Sequence, residues 1–120
     1  MNVLKAQHEG DYATIEHGGR LRIEQRTSQP TPVMMGIRPE AIALDAPDGI
    51  IALLEAVEDL GSHRVIYARI GTQRVLVIDR GQRPCQPGET LSLGFPSAAI
   101  CCFDAASGER IASSVAQVQA

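Results

Sequence analysis

The chain has 120 residues, 44% of them hydrophobic and 21% charged, with a formal net charge of −3. That is the length and balance of one ordinary globular domain. The negative charge and an aromatic content of only 3% argue against a nucleic-acid binder, which needs a basic footprint and stacking platforms. No apolar run approaches the roughly 18 residues of a membrane helix. The start, MNVLKAQHEGD, has no long apolar core of a signal peptide, which points to the cytoplasm.

Lys5 is the sole lysine, and no G-x-x-x-x-G-K-[ST] surrounds it, so these residues contain no P-loop. Cys85, Cys101 and Cys102 are an odd set with an adjacent pair, a poor disulfide framework. Strand neighbours point to opposite faces, so one of Cys101 and Cys102 is expected in the core and the other half exposed. His8, His17 and His63 lack the local spacing of a zinc site. There is no G-x-S-x-G elbow. Cys85 and His63 stay open as a pair, but nothing local activates either residue.

Residues 3–7 read as a short strand. Residues 12–16 (YATIE) and 20–24 (RLRIE) alternate around His17-Gly18-Gly19, the pattern of a β-hairpin with Leu21 and Ile23 on one face. Residues 26–32 (RTSQPTP) read as a linker, because prolines interrupt a sheet ladder. The expected division is a β piece over 1–26, a linker over 27–32, a main barrel over 33–112 and a tail over 113–120. Residues 33–37 (VMMGI) read as a strand, and Arg38-Pro39-Glu40 as a strand-to-short-helix corner, since proline suits a first helical turn. A turn follows at Ala46-Pro47-Asp48-Gly49.

Residues 50–60 (IIALLEAVEDL) place Ile50, Leu53, Leu54, Val57 and Leu60 on one helical stripe, and this periodicity predicts a helix capped by Gly61. Residues 63–70 and 74–79 alternate around Gly71-Thr72-Gln73 and predict a second hairpin. Residues 80–88 form a Gly- and Pro-rich loop. Leu91, Leu93 and Phe95 point inward from another strand, 96–99 make a short turn, and 100–104 (ICCFD) a last strand. Asp104 is expected to cap the turn that runs to Gly108. Many short strands with turn signals between them give a mainly β fold, an OB-like small barrel of antiparallel strands with one or two helical turns.

Several segments resemble one family. Gly36-Ile37-Arg38-Pro39-Glu40 is similar to the G-x-R-P-E signature of the transport-associated OB domain, the C-terminal domain of maltose-type ABC importer ATPase subunits. Val57-Glu58-Asp59-Leu60-Gly61-Ser62 is similar to the family's V-E-x-L-G-[SN], and Leu93-Gly94-Phe95-Pro96 to its x-G-x-P. Phe103-Asp104 with Ser107-Gly108-Glu109-Arg110-Ile111 resembles the closing F-D-x-x-[TS]-G-x-R-[IL]. Met1-Asn2-Val3-Leu4 is similar to the opening M-N-[FL]-L, so the resemblance implies that Met1 lies inside a longer polypeptide.

The resemblance implies a non-catalytic regulatory domain. It would join two ATPase subunits as a homodimer and receive signals from a partner protein or small molecule. ATP and magnesium would bind only an ATPase domain in the same polypeptide. That domain would engage the permease, at the cytoplasmic side of the inner membrane, to import a sugar, polyol or glycerol phosphate. The resemblance also implies a strand, not a helix, over 50–60. Arg38, Pro39, Glu40, Gly61, Ser62 and His63 are the candidate interface or regulatory residues, and Gly36, Asp104 and Gly108 the candidate turn residues. Arg38 would form a forked pair with a carboxylate across an interface; alternatively Glu40 only caps its own turn. The family carries a carboxylate or amide near Ser62-His63, where a histidine suits either pH sensing or an exposed strand. A second reading is a stand-alone barrel for a small oxyanion such as molybdate, with donors from Ser62, Ser97 and the pair Arg80 and Arg83.

Overall fold

The computed structural model describes residues 1–81 and 83–110, and only the backbone over 24–28. Among the described residues, eight strands form two antiparallel sheets. β1 (Asn2–Ile15), β2 (Arg20–Ile37) and β8 (Cys101–Asp104) form the first, in the order β1-β2-β8. β3 (Ala43–Leu44), β4 (Ile50–Asp59), β5 (Arg64–Ile70), β6 (Gln73–Asp79) and β7 (Thr90–Gly94) form the second, in the order β3-β7-β4-β5-β6. Two single 3-10 turns, Pro39–Ala41 and Ser97–Ala99, are the helical elements among the described residues. The sheets curl around one apolar core into an OB-like half-barrel.

Burial in the second sheet follows the pleat. Ile66, Ala68 and Ile70 of β5 face Val75 and Val77 of β6 inward, while Tyr67 and Leu76 pair on the outer face. Residues 50–60 correct the helical expectation. Ile50, Ala52 and Leu54 are buried at a period of two, and β4 pairs with β7 on one side and β5 on the other. The helical and strand templates share Ile50 and Leu54, and two flanking ladders decide for the strand.

The long hairpin is less regular. β1 buries Asn2, Leu4, Ala6 and His8, then Ala13 and Ile15, so its buried phase switches from even to odd. The switch falls at Gly10, where the register slips on both sides. Opposite residues 9–11 of β1, β2 places residues 23–30 between the Tyr12–Arg22 and His8–Thr31 pairs. The stretch expected as a linker is therefore the bulged middle of one continuous strand. Pro30 and Pro32 are tolerated because β8 covers β2 only over residues 33–36, leaving the proline stretch an edge. The bulge folds the hairpin back on itself: the Glu16 N–H donates to the Lys5 carbonyl at 3.1 Å. Cys102 is buried and Cys101 half-buried. Residues 111–120, with the expected tail over 113–120, lie outside the described residues.

Candidate functional site

β6 adjoins two separate groups of candidate residues. At its start, Gln73 reaches across to β1. The Lys5 N–H donates to Gln73 Oε1 at 2.7 Å, and Gln73 Nε2 donates to the Lys5 carbonyl at 3.1 Å. Three residues on, the roles reverse. Asn2 Nδ2 donates to the Leu76 carbonyl and the Leu76 N–H donates to Asn2 Oδ1, both at 2.8 Å. Each amide satisfies one donor and one acceptor of the opposite backbone, which also fixes which amide atom is oxygen. Neither residue was singled out from sequence. Asn2 did leave a signal, a polar residue on the buried phase of an alternating strand, which must find partners. Gln73 left none.

The Arg38-Pro39-Glu40 corner follows directly on Ile37, the residue paired with Asn2, and its 3-10 turn packs against β6. Arg38 has extended backbone and the Ala41 N–H donates to its carbonyl at 3.0 Å. Glu40 is the acidic residue of this turn, and the Arg38 side chain makes no capping bond to it. Arg38 and Glu40 are both exposed, and neither has a hydrogen bond or ion pair with a described residue. The corner thus presents one charge of each sign, neither paired among the described residues, beside the β1–β6 seam. Gly36 lies within β2 rather than at a turn, buried between Val3 and Cys101.

The far end of β6 carries a second set. Arg64 of β5 stands in register between Asp59 of β4 and Asp79 of β6. Its Nη2 donates to Asp79 Oδ2, and both side chains are mostly buried. Burial alone would raise the Asp79 carboxyl, but the Arg64 guanidinium and the Gly81 N–H outweigh it and hold the carboxyl below its ordinary value. Asp59 accepts the Gly61 N–H at 2.9 Å, and Gly61 has φ +91°. Ser62 Oγ lies 2.9 Å from His63 Nδ1. With Arg80 and Gly81, the residues Asp59, Gly61, Ser62, His63 and Arg64 line a polar cleft of about 390 Å³. Gly61, Ser62 and His63 therefore share one cleft, while Arg38, Pro39 and Glu40 lie by the seam.

The oxyanion constellation is brought together only in part. Arg80 and Ser62 share the cleft, and Arg80 has no partner among the described residues. Arg83 is occupied: it bonds Asp45 Oδ2 and Glu89 Oε2, both at 2.8 Å. Its Nη1 also lies 3.3 Å from Cys85 Sγ. Ser97 sits in the second 3-10 turn, outside the cleft. No group of three or more metal-ligating side chains occurs among the described residues. At the C-terminal turn, the Ala106 and Ser107 N–H groups each donate to Asp104 Oδ1 at 2.9 Å. Those two bonds, Ser107 first, hold the carboxyl below its ordinary value. The Gly108 N–H donates to the Asp104 carbonyl at 2.8 Å, with Gly108 at φ +76°.

Fold and site define a small two-sheet β module whose polar residues gather at strand ends and at a seam. The chain belongs to the TOBE domain family, which matches residues 35–103. It is similar to the sn-glycerol-3-phosphate import ATP-binding protein UgpC 2 of Agrobacterium fabrum, 36% identical over 81 residues, 66% of this chain and 21% of that protein. It is also similar to UgpC of Escherichia coli O6:H1, 29% identical over 117 residues, 92% of this chain and 33% of that protein. UgpC of Bordetella pertussis is 38% identical over 66 residues, 52% of this chain and 18% of that protein. The chain spans about a third or less of the length of these curated relatives.

Proposed function

We propose that this chain is the regulatory and dimerising module of the ATP-binding subunit of an ABC importer. The solute class is sn-glycerol-3-phosphate or a related sugar or polyol. The observation that carries this reading is the likeness over 92% of the chain to a protein named for that import. In this account the module is non-catalytic and binds neither ATP nor magnesium. Both belong to an ATPase domain of the same polypeptide, which engages the permease at the cytoplasmic face of the inner membrane. The module binds a second copy of itself and a regulatory partner, and no nucleic acid.

Arg38 and Glu40, exposed and without a partner among the described residues, support a role for the corner as a contact. A guanidinium with no partner among the described residues suits a forked bond to a carboxylate of another surface. Gly61, Ser62 and His63 form the second contact, at the cleft. The reading is tested by exchange. The 117 matched residues of the Escherichia coli relative are replaced by this chain, and uptake of glycerol phosphate is measured in cells lacking the native subunit. Uptake well above the empty strain is expected. A chimera that is made at normal levels, hydrolyses ATP and imports nothing overturns it.

A further inference from the structure

We infer that the seam between β1 and β6 is the joint at which this domain opens, as one cooperative unit in which the first sheet parts from the second while the second sheet's own ladders stay intact. The two sheets meet there along a single antiparallel register. Asn2 stands opposite Leu76 and Lys5 opposite Gln73, so β1 advances three residues as β6 retreats three. This is the register of a barrel-closing ladder. Yet among the described residues no backbone group of β1 bonds a backbone group of β6. Two side-chain amides stand in for the ladder, one from each strand.

A ladder bond breaks only when backbone moves, and its neighbours share the motion. An amide bond breaks by rotation about a side-chain torsion, and water at the seam replaces it. Water has access at the rim of the seam, where Val3 is 50% exposed, Leu76 38% and the Arg74 side chain 85%, while Asn2 itself is buried and becomes wet only as the seam parts. Local openings of this kind populate below the global unfolding free energy. The other flank of β1 is held by the β2 ladder over residues 2–8, so β1 leaves together with β2 rather than by fraying alone. The Arg38 corner, joined to the end of β2 and packed on β6, rides on the same joint. The Glu16 N–H bond to the Lys5 carbonyl ties the folded-back end of the hairpin into it as well.

The test is native-state hydrogen exchange on this chain, read at the Lys5 and Leu76 amides and at the core amides of Ile66 and Leu93. In the wild type, Lys5 and Leu76 are expected to exchange with a shared, weak dependence on denaturant, and Ile66 and Leu93 with the steep dependence of global unfolding. Asn2→Ala removes both bonds to Leu76. It should speed exchange at Leu76 by about tenfold or more, given the usual worth of two hydrogen bonds. It should also speed exchange at Lys5, whose own bonds to Gln73 are intact. Gln73→Ala gives the reciprocal reading at Leu76, and supplies the test should Asn2→Ala not fold. Acceleration confined to the amide whose partner was removed overturns the inference, because the bonds then act singly. Acceleration of Ile66 and Leu93 by the same factor also overturns it, because the seam then opens only with the whole domain.

Discussion

The β4–β5–β6 meander and the β1–β2 hairpin are both antiparallel, yet they hold their shape by different means. The meander keeps one register shift in β4, and its inward residues alternate with outward ones. The hairpin sets residues 23–30 against residues 9–11, inverts its buried phase at Gly10, and folds its tip back over the meander. The meander is specified by side chains that alternate. The hairpin is specified by where glycine allows it to bend and what lies under the tip. A regular strand therefore fails when its core contacts are cut, and a bent one when its corner is blocked.

The largest effect should come from cutting the meander. Ile66 is fully buried, and Ile66→Ala should cost about 3–4 kcal/mol in a urea titration. A loss under about 1 kcal/mol would show the meander core to be loosely packed. The hairpin is broken at its tip. A Cβ on Gly71 would lie 2.3 Å from the His17 carbonyl oxygen, and Gly71 has φ +60°. Backbone cannot yield as a flexible side chain does, so Gly71→Ala should cost about 3 kcal/mol.

Gly10 has the same φ, +60°, but nothing stands within 4 Å of its added Cβ. Gly10→Ala should therefore cost only the left-handed penalty, about 1 kcal/mol. The Gly71–Gly10 pair separates crowding from conformation. Equal losses at the two positions would remove the claim that tip contact, rather than the bend itself, holds the hairpin down.

The smallest effect is electrostatic. The Asp79 carboxyl is held below its ordinary value of 3.8 in the folded protein. Its pairing with Arg64 is therefore fully in place above that value and is lost as pH falls through the lowered one. Wild-type stability should decline as pH drops below about 3.8, and Asp79→Asn should decline less steeply over the same range. Some slope should remain, because Asp104 is shifted the same way. An unchanged slope in Asp79→Asn would mean that the Arg64 pair does not couple to folding.

The same contrast decides what could be read from the sequence. The β5–β6 hairpin was legible because alternation and a glycine turn agree, and Leu91, Leu93 and Phe95 are buried as their spacing requires. The G-x-R-P-E and V-E-x-L-G segments led to the family because they are local strings. Residues 50–60 were misread by periodicity, since five apolar residues fit a helical stripe while the partners that make them a strand lie at 64–69 and 90–93. The linker was misread because proline reports only that a ladder is absent on one side, which an edge satisfies as well as a loop. The seam was hidden for a plainer reason. Asn2 and Leu76 are 74 residues apart, and their bond depends on how both sheets curl.

We propose above that these 120 residues act as one module of a longer ATP-binding subunit. An antibody raised to the domain, used to blot extracts of the source cells, tests it directly. The expected result is a band roughly three times the chain's 12.9 kDa, in keeping with the 33% of the Escherichia coli relative that it matches. A single band near 12.9 kDa would contradict it and leave a free-standing β module in its place.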